Sequence, residues 1–206
     1  MLGAGGHAAV LLDILFGQQR DILGLVSPQN SLDRAMFKNI PLYNDDDVMS
    51  FDKHSLRLVN GVGSLPGNLS RLEVFRRFDS LGYQFETIVA STAIVSSYAE
   101  LGKGVQLMSG VIVQTGARIG NNTIVNTGAI IEHDCHIGIN NHIAPGATLS
   151  GGVTTGDNVH IGTGANIIQS VKIGDNAVIG AGAVVTKDVN ANTVSYPAKG
   201  LIKVLK

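Results

Sequence analysis

The stretch LGKGVQLMSGVIVQTGARIGNNTIVNTGAIIEHDCHIGINNHIAPGATLS, residues 101–150, repeats itself every six residues. Large aliphatic side chains fall at Leu101, Leu107, Val113, Ile119, Val125, Ile131, Ile137, Ile143 and Leu149, and the step continues through Thr155, Ile161, Ile167, Ile173, Ile179 and Val185. Fourteen of these fifteen positions are aliphatic, Thr155 being the exception. Four residues after each stands a second series, small or β-branched almost throughout, from Val105, Val111, Ala117, Thr123, Ala129, Cys135, Asn141 and Ala147 on to Val189. Neither the 3.6-residue period of a helix nor the two-residue period of a strand produces this pattern. A fixed step sustained this long means a repeat architecture, and six residues fit a parallel β-helix: each hexad is a short strand and a turn, and three hexads make one coil. The large aliphatic residue would fill the prism and the small one would let the chain turn a corner. Leu101, Val113, Ile131, Ile143, Ile161 and Ile179 are therefore expected to be buried. Fifteen hexads give five coils, which at ~4.8 Å each stack to about 24 Å. Ile88 and Ile94 fit an earlier pair of hexads one residue out of register, which predicts an insertion at Glu100.

Upstream, the pattern changes. Residues 1–87 carry eight basic and ten acidic side chains, and residues 88–206 carry seven and six over a longer stretch. Ala8 to Phe16 reads as a helix after a glycine turn, and Ile22–Val26 and Leu56–Val59 as strands. Asn68 can cap a helix with apolar Leu69, Leu72, Phe75 and Phe78, which Gly82 stops. Tyr43 to Asp52, with its run of three aspartates, is a solvated loop or a helix start. Strand and helix in alternation predict a small open α/β sheet. The expected organisation is an α/β domain over 1–87, an all-β parallel β-helix over 88–190, and a C-terminal tail over 191–206.

The whole chain, 206 residues with 26 glycines, a net charge of -1 and 44% hydrophobic residues, is neither disordered nor basic enough to attract nucleic acid. One cysteine allows no disulfide framework, and no run approaches the ~18 apolar residues that span a bilayer. The start, MLGAGGHAAVLLDILF, lacks a basic segment before its apolar run, so a signal peptide is not expected and the location reads as cytoplasmic, with no membrane insertion.

The hexads with their small-residue partners resemble the left-handed β-helix acyltransferases of the hexapeptide-repeat superfamily. GAGGHA at 3–8, NGVGSLPGNLSR at 60–71, IIEHDCHIG at 130–138, HIAPGATLSGGV at 142–153 and PAK at 197–199 resemble, more narrowly, the bacterial sugar acetyltransferases. That group includes sialic acid O-acetyltransferases and N-acetyltransferases of nucleotide-linked 4-amino sugars. The resemblance implies a homotrimer that uses acetyl-CoA as co-substrate, with no metal, and a sugar or nucleotide-sugar acceptor reaching in from the N-terminal domain.

Acetyl transfer needs a base as the acceptor loses its proton, and histidine is the natural one. Within IEHDC, His133 matches the family's general base and Asp134 the acid that orients it, with Glu132 a competitor for that second role. His142 lies nine residues on, half a coil round, so it could meet His133 only across a subunit boundary; the resemblance has it contact acetyl-CoA. Gly151 matches the position whose backbone amide faces the thioester oxygen, and Thr163 and Ala181 match positions lining the coenzyme channel. His160, one coil beyond His142, should stack over it as a structural residue. Cys135 occupies an inward position, so it reads as packing rather than as an acyl carrier.

Gly3, Gly5 and Ala8 satisfy G-x-G-x-x-A, a weak dinucleotide fingerprint. Its context fails: Met1 and Leu2 are too short for the preceding strand, so the first strand reads as missing and the start as lying upstream, and Ser27 and Pro28 replace the acidic residue expected after the second. The resemblance instead gives this turn to a sugar nucleotide, held at Gly5, Gly6 and His7, with Gly63 opposite. Two other readings stay open: a metal enzyme like the γ-class carbonic anhydrases, which would need three convergent histidines, and a prism without catalytic activity.

Overall fold

The computed structural model describes residues 1–27 and 34–197; Pro28 and Ala198 onward, including most of the PAK motif, lie outside them. The N-terminal part is a parallel α/β layer. Its elements are α1 (Gly6–Gly17), β1 (Leu25–Val26), β2 (Leu42–Tyr43), α2 (Asp45–Val48), β3 (Arg57–Leu58), α3 (Ser70–Ser80) and β4 (Gln84–Phe85). The missing first strand is corrected here. Leu2 bridges Val26 on one side and Asn60 on the other, both in parallel, and so joins the β1–β2 and β3–β4 pairs into one row. A single residue suffices because its neighbours bond to both sides: Leu2 N–H donates to Val59 at 2.8 Å and Gly3 N–H to Val26 at 2.7 Å. The aspartate run becomes the first turn of α2, where Asn44 and Asp47 close a capping box and the helix dipole favours negative charge. Leu69 is exposed rather than part of the apolar face, because α3 starts one residue later.

Helix α1 buries residues on several sides, and the reason is its position. Leu11 and Leu15 pack into the core that fills the prism, while Ala8, Ala9 and Leu12 pack on Leu25 and Phe37 of their own layer. It is wedged between the two parts of the chain.

From Ile88 the chain winds as a triangular prism of three parallel sheets, with each strand paired to the one 18 residues on. We call them the first face (from Ile88–Val89), the second (from Ile94–Val95) and the third (from Glu100–Leu101). In every two-residue strand the second residue points into the core, and Leu107, Val113, Ile131, Ile143, Ile161 and Ile179 are buried there. Leu101 is only partly buried, because its strand ends its sheet. No insertion occurs at Glu100. Val89 and Val95 are the inward residues, in step with Leu101, while Ile88 and Ile94 point outward and Glu100 sits beside Arg118 on the third face.

The departures from the aliphatic pattern answer one another. Asn141 donates to Thr155 Oγ1, and its own amide donates to Thr123 Oγ1 at 3.1 Å, so three inward polar groups are mutually satisfied. From Gly104 to Gly182 each corner holds one residue with positive φ per coil. Between the third and first faces Gly104 is followed by Asn122, Asn140, Asn158 and Asn176, whose side chains bond to one another in a ladder that ends at Asn192. The last coil is two residues short: Val189 bridges Ile173, and Val194–Ser195 pairs with Val178–Ile179, so residues just beyond 190 still run on the prism.

Candidate active site

The three faces present different outer surfaces. Outward residues of the first face are covered by the N-terminal layer: Ile88, Gln106 and Ile124 are buried, and His142 and His160 are partly so. The third face carries Glu100, Arg118, His136, Thr154 and Lys172, a polar surface. The second carries Ile94, Ile112, Ile130, Thr148, Asn166 and Val184, with Ile94 66% and Val184 67% exposed. Bare aliphatic side chains in a row of this kind are suited to contact with another protein surface.

His133 and Asp134 lie in the turn between the second and third faces, at the corner opposite the covered first face. Asp134 takes the left-handed conformation, φ +60°, in the stack it shares with Gly116, Gly152 and Ser170. Its Oδ2 is 2.8 Å from His133 Nδ1. A carboxylate only accepts, so Nδ1 carries the proton and Nε2 presents a bare lone pair. Gly151 is one coil above His133, and a Cβ built on it would lie 2.5 Å from both Cε1 and Nε2 of the imidazole. The ring therefore lies against the glycine backbone, and only glycine leaves room for it. Both acidic and basic partners are more than half exposed in the single chain. Glu132 makes no hydrogen bond to His133, which leaves the orienting contact to Asp134.

A second group forms where the N-terminal layer meets the first face. His7, in the first turn of α1, places Nε2 2.7 Å from Gln106 Oε1. That oxygen also accepts from Arg71 Nη2, and Gln106 Nε2 donates to the Asn60 carbonyl, so the amide orientation is fixed and His7 Nε2 is the donor. Gly63 flanks it: a Cβ there would be 3.5 Å from His7 Cβ. His142 accepts at Nε2 from Asn126 Nδ2, at 3.2 Å, because Asn126 Oδ1 is taken by the Thr127 amide. His160 pairs with His142 in register, edge to face at 4.8 Å between ring centroids, and Nδ1 of both rings is buried without a partner. Burial holds all three imidazoles below their ordinary range. His7 is lowered to about 4, by burial and then by Arg71, against the opposing bond from Gln106. His142 is lowered to about 3, by burial and then by His160, His7 and Arg71, and His160 is lowered by burial. All three are neutral at physiological pH.

Of the expected site residues, His133, Asp134 and Gly151 come together at one corner; Gly5, Gly6, His7, Gly63 and His142 gather at the opposite side of the same chain. Thr163 and Ala181 stack one coil apart at the corner between the first and second faces, with the Gly182 amide donating to the Thr163 carbonyl. Cys135 is buried, donates toward the Ser150 carbonyl, and has its thiol pushed up by burial. His136 stands on the third face and His142 on the first, so they do not converge. The sequence reading missed Arg71, Gln106 and Asn126. Arg71 has a legible signal, since it stands four residues before Phe75 and seven before Phe78, on the buried face of α3. An apolar cavity of about 310 Å³ beside Leu15, Val26, Tyr43, Phe51 and Leu58 meets neither histidine group.

The profile of the bacterial transferase hexapeptide (six repeats) matches residues 152–187. No curated protein matches the sequence significantly. Among solved structures, a variant of perosamine N-acetyltransferase from Caulobacter crescentus, in complex with CoA and GDP-perosamine, is 29% identical over 98% of this chain and 95% of its own, with a TM-score of 0.85. The acetyltransferase domain of PglB from Neisseria gonorrhoeae, in complex with acetyl coenzyme A, is 28% identical over 97% of each chain, with a TM-score of 0.86. WeeI from Acinetobacter baumannii, at 23% identity over 94% of this chain and 93% of its own with a TM-score of 0.79, shares the fold.

Proposed function

We propose that the chain is an acyltransferase of the left-handed β-helix, hexapeptide-repeat class to which bacterial sugar acetyltransferases belong, and that it N-acetylates a nucleotide-linked 4-amino sugar from acetyl-CoA. The observation that carries this reading is the His133–Asp134 pair, with Nε2 free and the ring laid on Gly151. The acceptor's amine would attack the thioester carbonyl carbon and pass its proton to Nε2. The C–S bond would then break, and the proton on His133 would go to the departing thiolate. Asp134 holds the tautomer that this step needs and stabilises the imidazolium. The Gly151 backbone amide is assigned to the thioester oxygen, and Thr163 and Ala181 to the coenzyme channel. Gly5, Gly6, His7 and Gly63 are assigned to the nucleotide sugar, its phosphates at the start of α1. Residues 1–87 would thus bind the acceptor, and residues 88–190 carry out the transfer.

The site is open and divided in one chain, and the second face supplies the reason for a homotrimer. If three prisms turn this apolar face toward a common threefold axis, the corner with His133 and Gly151 in one chain meets the next chain's opposite corner, with Thr163 and Ala181. His142 and the N-terminal shelf of that next chain lie just beyond. Among the described residues no helix is long and apolar enough to cross a membrane; with acetyl-CoA as donor, the proposed location is the cytoplasm.

The test is a mass-spectrometric screen of nucleotide-linked 4-amino sugars and sialic acid side by side, each with acetyl-CoA. N-acetylation of a nucleotide-linked sugar is expected; transfer to sialic acid alone would replace this reading with O-acetylation. His133→Ala should lower turnover by ~10²–10⁴-fold with CoA binding little changed.

A further inference from the structure

Arg71 takes no part in the transfer just described, yet it is 2% exposed and charged. Its guanidinium makes four hydrogen bonds. Nε donates to the Asn122 carbonyl at 3.1 Å, Nη1 to the carbonyls of Asn60 at 2.9 Å and Val62 at 2.7 Å, and Nη2 to Gln106 Oε1 at 3.0 Å. Every acceptor is neutral, and among the described residues no carboxylate pairs with it. Buried cations are ordinarily paired with an anion. One held by dipoles alone is satisfied as a donor but not as a charge, and in a low-dielectric surrounding its field reaches the groups around it.

Those groups adjoin the shelf assigned above to the acceptor. Gln106 Oε1 accepts from Arg71 on one side and from His7 on the other. The Val62 carbonyl is held to Arg71, and in a trans peptide the following amide, that of Gly63, then points away from it. Helix α1 presents the first amides of Gly6 and His7 next to Gly63, again the positive end of a dipole. No negative side chain of the described residues stands in this network, so the shelf is positive without a counter-ion.

We propose that Arg71 is the specificity-determining residue of the acceptor site: its uncompensated charge makes the shelf of Gly5, Gly6, His7 and Gly63 select a sugar that carries phosphate, which supplies the missing negative charge. Arg71 acts through Gln106 and the Asn60–Val62 backbone and is a positioning residue, not one that touches the substrate. The lowering of His7, to which Arg71 contributes after burial, agrees with such a field.

This inference rests on the acceptor reading above, and the experiment separates the two. kcat/KM is measured for a nucleotide-linked amino sugar and for the same amino sugar without its nucleotide, in wild type, Arg71→Lys and Arg71→Met. In Arg71→Met the preference for the nucleotide-linked sugar should fall by about 30-fold, through KM for that acceptor and not for acetyl-CoA. Arg71→Lys, which keeps the charge, should stay within a few fold of wild type. An unchanged preference in folded Arg71→Met, or a lysine variant as impaired as the methionine one, overturns the proposal and leaves Arg71 a clamp between the two parts of the chain. Should Arg71→Met fail to fold, inorganic pyrophosphate titrated into wild type decides: it should shift the His7 ring resonances in NMR spectra, with the shift weakening as salt is added. A silent His7 overturns the proposal. A wild-type enzyme that binds pyrophosphate at His7 but acetylates no nucleotide-linked sugar would instead sink the acceptor reading alone.

Discussion

At the scale of single residues, the proposed active corner depends on two backbone facts that side-chain chemistry alone does not convey. Gly151 has ordinary backbone angles, so its need for glycine is steric: the His133 ring occupies the space a Cβ would take. The ring is the movable partner, so Gly151→Ala should leave the fold intact and displace the imidazole. Turnover should fall by roughly 10²-fold, the scale of a ~1 Å misplacement; steady-state kinetics with circular dichroism check both halves. Asp134 combines two demands, a carboxylate for Nδ1 and a left-handed φ of 60°. Alanine fails both, whereas asparagine tolerates the conformation and loses only the charge. Asp134→Asn should therefore keep wild-type thermal stability and lose turnover, while Asp134→Ala should lose turnover and about 1 kcal/mol of stability as well. Equal melting temperatures for the two variants would refute the backbone half of this account.

At the scale of elements, the junction between α1 and the first face is a layer of neutral imidazoles and amides around one cation. It predicts acid sensitivity with a definite sign. His7 titrates near 6.5 when unfolded and at about 4 when folded. Between those values the unfolded chain binds a proton that the folded one does not, so stability is complete above pH ~6.5 and is lost as pH falls toward 4. His142 adds to the loss in the same direction, over a window that reaches down to about 3. At pH 5 the His7 contribution should be about 2 kcal/mol. Urea unfolding at pH 7 and pH 5 should show the loss in wild type and a shallower one in His7→Gln; parallel curves would mean that the junction opens before it titrates. The asparagine ladder is a different element. It ties each coil from Asn122 onward to the next through side-chain amides, and Asn60 extends it into the N-terminal layer by donating to Asn122 at 3.0 Å.

At the scale of the whole molecule, the three prism faces divide the labour: one covered by the chain's own N-terminal layer, one polar, one apolar and bare. The bare face sets the expected assembly. Ile130→Glu would place a charge in the middle of the stripe without touching the core, since its neighbour Ile131 is the inward residue. Sedimentation should find this variant as a monomer with an unchanged circular dichroism spectrum and no transferase activity, because neither corner then has its partner. A fully active monomer would refute the divided site. Cys135, buried in the core with its thiol pushed up, fits direct transfer without an acyl-enzyme.

The hexad period alone determined the prism, its inward residues from Leu107 to Val185, and the positions of turn residues such as His133, because an 18-residue coil converts sequence spacing directly into place on a face. It also fixed that His142 and His160 stack and that His133 and His142 stand on opposite sides. Only the tertiary structure decided what depends on contacts between distant segments. The register of Val89 and Val95 follows from pairing with the next coil, and Leu2 serves as a strand because two other segments bond to it. The covering of the first face, and with it the burial of Arg71 among Asn60, Gln106 and Asn122, arises where the α/β layer docks on the prism. No local pattern records that docking, for the hydrogen bonds that tie His7, Asn60 and Arg71 to Gln106 and Asn122 join residues between 35 and 99 positions apart.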